Sequence, residues 1–275
     1  MWSKIERLDP RIIYGLLVLA ILVPLMTPLG IPIEVMPMTM QGFKAIDSLK
    51  DGARVMLSHD YSFGTQPELE PIMKAFLKHL ARKNAKVYAV ASVVDGPMLA
   101  ASTLKTYESL GKKYGTDFMN VGYFAGGEAG MAAMAKDFRS VFRTDFYGTS
   151  LDKIEMMKDV KDIRSFDLVI SGNAGPVGGG SIDVWVRQAV VPYKTQFMVC
   201  VTAIMIPTEM PYVQAGQVVA LVGGLRGGAE YESLIKSAGD ATLAMGAQSS
   251  THFMILALIL LGNIAFWVNK RSKGV

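Results

Sequence analysis

Lys86-Val87-Tyr88-Ala89-Val90-Ala91-Ser92-Val93-Val94 decides the fold. Apolar residues fall at odd and even positions alike, so a strand built from this run must be covered on both faces. Asp95-Gly96-Pro97 follows at once and opens a helix, with proline in the first turn where its missing N–H costs nothing. A two-face buried strand running into a helix is one half of a βαβ unit, and such units imply parallel strands.

Similar apolar, β-rich runs occupy 54–59, 118–124, 166–171, 196–204 and 217–222. Helical patterns fill most of the gaps. Leu69, Ile72, Met73, Phe76, Leu77 and Leu80 form an i, i+3, i+4, i+7 stripe. Thr65-Gln66-Pro67-Glu68 ahead of it has the pattern of a capping box. Further helices are expected around 41–49, over 150–163 and over 229–237. The fold class that follows is α/β, a Rossmann-like three-layer domain with a mainly parallel sheet of about six strands. The aromatic and basic stretch 139–149 breaks the rhythm and reads as a surface excursion.

Two apolar segments flank this domain. One runs from Ile12 to Ile33 behind Lys4, Arg7 and Arg11; the other covers 252–268 and leads to Lys270, Arg271 and Lys273. Each is near the ~20 residues that cross a bilayer as a helix, and Lys and Arg beside such helices favour the cytoplasm. The reading is a chain anchored twice in a cytoplasmic-type membrane. Residues 1–11 and 270–275 are cytoplasmic tails, 12–33 and 252–269 transmembrane helices, 34–239 an extracytoplasmic domain and 240–251 a helical stalk. No small-x-small cleavage site follows the first segment, so it reads as an uncleaved anchor. Gly262 and Asn263 place a polar pair inside the second segment. Polar residues at that depth face other helices, here either the first segment or a neighbouring subunit.

The net charge of +4 arises at the ends. Removing six basic and two acidic terminal residues from 28 and 24 leaves 22 of each, so the domain is neutral and nucleic acid has no electrostatic foothold there. The single cysteine, Cys200, lies in an apolar run, can form no internal disulfide and reads as a small buried hydrophobe.

Ligands of open parallel sheets bind beyond the carboxyl ends of the strands. Those ends carry His59, Asp60, Asp95, Glu128, Asn173 and Arg226, with glycines at Gly126-Gly127, Gly178-Gly179-Gly180 and Gly223-Gly224. They are the candidate ligand-binding residues for a small polar ligand. No Gly-Lys-Ser/Thr or Gly-x-Gly-x-x-Gly spacing supports a nucleotide, and no His/Cys spacing supports a metal, so no cofactor is expected. Ser58-His59-Asp60 cannot be a triad, since neighbours on a strand point to opposite faces. His59 is either a partner for an acid such as Glu128 or a core residue. Arg226 either clamps an anion or forms a salt bridge. No catalytic motif is recognisable.

Two functions fit. The first is a structural subunit of a membrane-bound assembly, whose partners are the lipid bilayer and copies of itself or another membrane protein. The second is an extracytoplasmic sensor or hydrolase using the strand-end loops. The orientation is testable with a membrane-impermeant maleimide on a Ser109→Cys variant. Labelling is expected in intact cells, and labelling only after lysis would reverse the topology.

Overall fold

The computed structural model describes residues 9–27, 33–175 and 180–272. Lys4, Arg7, Gly178, Gly179 and Lys273, used in the sequence reading, lie outside them, as do residues 28–32 of the first apolar segment. The chain divides into an α/β unit, Ile33–Ala241, and a helical unit made of the two ends.

Six strands build the α/β unit: β1 Arg54–Asp60, β2 Lys86–Ala91, β3 Phe118–Tyr123, β4 Leu168–Asn173, β5 Phe197–Val201 and β6 Ala220–Gly223. All pair in parallel, in the order 3-2-1-4-5-6. This is the doubly wound order, with the strand order reversing between β1 and β4. Alternate residues of each strand feed two separate cores. Val55 and Leu57 enter one with Phe76, Leu80 and Tyr231; Met56 enters the other with Trp185, Phe138 and Phe197. The Rossmann-like α/β reading is therefore what the chain adopts.

Helices α2 Pro37–Asp47, α3 Gln66–Arg82, α4 Gly96–Ser109 and α8 Gly224–Leu234 supply the first core. Helices α5 Gly127–Lys136, α6 Ile182–Trp185 and α7 Ile206–Gln214 supply the second. The backbone of α6 continues through a wider π turn, Val186–Val190, into Val191–Tyr193. The excursion expected at 139–149 covers the outer edge of β3. The Phe146 N–H donates to the Asn120 carbonyl (2.9 Å), and Thr144 bridges Ser150. Gly122, next to the β2/β3 irregularity, adopts φ +109, a backbone conformation that favours glycine.

Two local expectations fail for identifiable reasons. Residues 150–163 form separate 3-10 turns, Leu151–Lys153, Glu155–Met157 and Ile163–Ser165, rather than one helix. Their carbonyls are taken by tertiary donors: the Tyr88 hydroxyl holds the Met156 carbonyl, and the Arg139 guanidinium those of Met157 and Val160. The capping box at Thr65 does not form either. Glu68 turns away to accept from the Ala203 N–H at 2.6 Å, and the Thr65 hydroxyl donates to the Ser62 carbonyl.

In the helical unit, α1 Pro10–Met26 and α9 Asp240–Ser272 are the long elements. Among the described residues, only α9 is long and apolar enough to cross a membrane, over Asp240–Lys270. The expectation of a spanning helix at each end is thus corrected. At 17 residues α1 reaches about 25 Å, short of the ~30 Å of a hydrocarbon core. Its end is set by Thr27, which is extended (φ −137, ψ 109), as expected for the residue before Pro28. Helix α9 passes unbroken through 240–251, the stretch expected to be helical. Its backbone at Gly246 lies against Pro24 of α1. Gly262 and Asn263 do not pack on α1: both are exposed, and nothing approaches the Gly262 Cβ position.

Candidate functional site

The carboxyl ends of β1 and β4 meet where the strand order reverses, with Asp60 in register with Asn173. Helix α3 leaves β1 toward one face of the sheet, and α6 follows β4 on the other. This geometry opens a crevice in doubly wound sheets. Here it is occupied by a polar network of the chain's own groups.

Asp60 is its centre and is fully buried. Its Oδ1 accepts from the Ser58 hydroxyl (2.8 Å), the Ser92 N–H (3.0 Å) and the Ser92 hydroxyl (2.6 Å). Its Oδ2 accepts from the Ser171 hydroxyl (2.7 Å) and the Trp185 indole N–H (3.0 Å). Burial pushes the Asp60 pKa up, and the bonds from Ser92, Ser171, Trp185 and Ser58 pull it back in part. Gly180 closes over the carboxylate, and a side chain there would collide with Asp60 and the Ser92 hydroxyl. Asn173 completes the closure: its amide donates to the Gly180 carbonyl (2.6 Å) and accepts from the Gly175 N–H (2.8 Å).

The other expected residues lie apart from this centre. His59 points to the opposite face of β1, fully buried, its ring 5.8 Å from that of Tyr61. Among the described residues, neither imidazole nitrogen has a hydrogen-bond partner, nor does the Tyr61 hydroxyl. Burial holds the His59 pKa down at about 4, and the Leu57 carbonyl offsets this only in part without forming a proper bond. His59 is therefore a core residue, and Glu128 is not its partner. Asp95 takes the N-cap position of α4 without a side-chain cap bond. Glu128 receives Arg187 through two guanidinium nitrogens (3.0 and 3.1 Å) and Gln188 (2.8 Å). Those bonds lower its pKa. Arg187 also pairs with Asp183 at 2.7 Å. Arg226 pairs with Glu230 at 2.9 Å. The buried Glu230 also accepts from the Thr39 hydroxyl (2.6 Å) and the Met36 N–H (3.0 Å), so Arg226 is engaged with α2 and α8.

Of the six candidates, only Asp60 and Asn173 come together. Ser92, Ser171 and Trp185 belong with them and were missed. Ser58 and Asp60, or Ser171 and Asn173, carry the one available signal: polar residues two apart on a strand that should be apolar. Nothing near Trp185 in the sequence marks its indole as a partner. Among the described residues, no group of three His, Cys, Asp or Glu side chains is arranged to hold a metal ion. Comparison with protein-family models, curated proteins and solved structures returns no match. Fold and site define a Rossmann-like α/β domain whose switch-point crevice holds an internal carboxylate network.

The unpartnered His59 makes stability fall with acid. An imidazole titrates near 6.5 in the unfolded chain and near 4 in the fold, so the unfolded chain takes up the proton first. Stability is full above about pH 6.5 and declines down to about pH 4. Asp60, with its raised pKa, contributes the opposite slope above 3.8, so the two effects must be separated. In urea unfolding at pH 7.5 and pH 5, the wild type should lose about 2 kcal/mol more than His59→Leu. Equal losses would show that His59 is solvated or bonded.

Proposed function

We propose that the chain is a membrane-anchored structural subunit of an oligomeric assembly, held by α9, with the C-terminus cytoplasmic and the Rossmann-like domain outside. Asn263 carries the reading. It sits in the apolar part of α9, seven residues or about 10 Å from Lys270, and its side chain is exposed. A carboxamide left in hydrocarbon is costly unless another polar group meets it. Helix α1 does not meet it, so a helix of a neighbouring subunit is the natural partner. Gly262 beside it lets a second backbone come close, as small residues do at helix contacts within bilayers. In this reading the shorter α1 packs on α9, with Pro24 against Gly246.

The closed switch point supports the same reading. Asp60, Asn173, Glu128 and Arg226 all face partners within the chain. A sensor or hydrolase at those residues would need at least one of them free to meet a ligand. The alternative of a strand-end ligand site formed by these four therefore has less support than a scaffold.

An intramembrane polar contact contributes about 1 kcal/mol, or about fivefold in an association constant. Asn263→Leu should shift the detergent-solubilised particle toward smaller species at matched concentration, with the unfolding of the α/β domain unchanged. Particle size and detergent resistance equal to the wild type would remove Asn263 from the contact.

A further inference from the structure

A groove of about 660 Å³ opens at the carboxyl ends of β2 and β3, away from the Asp60 network. Val94, Met98, Tyr123, Phe142 and Phe146 form its apolar walls, and Arg143 lies among them. Val94 is 76% exposed and Met98 62%, far beyond what either needs to complete a core. The volume lies in the range of small-molecule sites.

Arg143 is the second observation. Every other arginine of the α/β unit has a partner. Arg54, Arg139, Arg164, Arg187 and Arg226 hold carboxylates, and Arg82 holds the Ile235 carbonyl. The Arg143 guanidinium holds nothing among the described residues and lines the groove. The nearest acid in its segment is engaged elsewhere. The Asp145 carboxylate accepts from the Tyr114 hydroxyl (2.7 Å), the Tyr147 N–H (3.0 Å) and the Thr149 N–H (2.7 Å).

We propose that this groove binds a small monocarboxylate with an apolar, preferably aromatic, body. The guanidinium presents paired donors that match a carboxylate. The apolar walls take the body of the ligand, where aromatic and methionine contacts adapt to its shape. One unpaired positive charge beside the negative Asp145 suits a single negative charge and disfavours phosphates. The occupant is a free small molecule, since the groove's volume of about 660 Å³ is that of a small-molecule site. This proposal is independent of the assembly reading: it uses none of the strand-end residues discussed above and no membrane contact.

Isothermal titration calorimetry on the detergent-solubilised full chain tests it, with 3-phenylpropionate and indole-3-acetate as probes and their primary amides as neutral counterparts. Saturable binding of an acid is expected, with the amides about tenfold weaker or more. Arg143→Gln should weaken the acids by a similar factor and leave the amides unchanged. Val94→Glu, which sets a negative charge at the groove, should abolish acid binding. Both side chains are exposed, so unfolding midpoints should stay at the wild-type value. No saturable binding of either acid, equal binding of acid and amide, or an Arg143→Gln variant that binds the acids as the wild type does would overturn the proposal.

Discussion

A carboxylate buried where the strand order reverses is the constraint on which the rest of this fold depends. Removing a charge from water costs several kcal/mol, and only a near-complete set of donors offsets it. Asp60 obtains that set from four places: its own strand, the turn after β2, the end of β4 and α6. Each donor must arrive at its proper distance. The central three strands, α6 and the Gly180 closure are therefore positioned by one side chain. The indole of Trp185 also stacks on Phe197 of β5 (5.4 Å between ring centroids), which carries the constraint one strand further.

The consequence for function is a division of labour across the molecule. At the switch point, where doubly wound sheets usually receive ligands, the polar groups face inward to each other. Groups without partners among the described residues occur elsewhere: Asn263 on the exposed side of α9, and Arg143 in the groove beside β3. The first underlies the proposed assembly and the second the proposed carboxylate site. His59 and Tyr61 are unpaired as well, but they are enclosed in the core and present nothing to a partner. His59 acts on stability and its pH dependence.

The sheet was legible because burial on both faces leaves a local mark. Runs such as Val87-Tyr88-Ala89-Val90-Ala91 and Phe197-Met198-Val199-Cys200-Val201 admit no solvent face. Residues 150–163 were misread because their apolar spacing fits a helix, while donors distant in sequence, Tyr88 and Arg139, hold the carbonyls in separate turns. The same applies to Glu68, which left its cap for the Ala203 N–H, 135 residues away. The candidate site was half visible. Asp60 and Asn173 stood at the right strand ends, but their enclosure by Ser92, Ser171, Trp185 and Gly180 depends on strand order, which spacing does not reveal. The length of α1 depended on Thr27 preceding Pro28, a break inside a continuous run of apolar residues.

The most direct measurement is the unfolding free energy of an Asp60→Asn variant. Asparagine matches the shape but carries an NH2 group in place of one oxygen. In one orientation that group faces the Trp185 indole N–H, in the other the Ser92 backbone N–H, and neither can turn away. A donor facing a donor in a buried site should cost about 2–4 kcal/mol. That loss, with weakened near-ultraviolet dichroism from Trp185, is the result expected if Asp60 holds the fold together. A variant as stable as the wild type, or more stable, would contradict the account. It would mean that the carboxylate is kept at the expense of stability, as groups retained for binding or catalysis are.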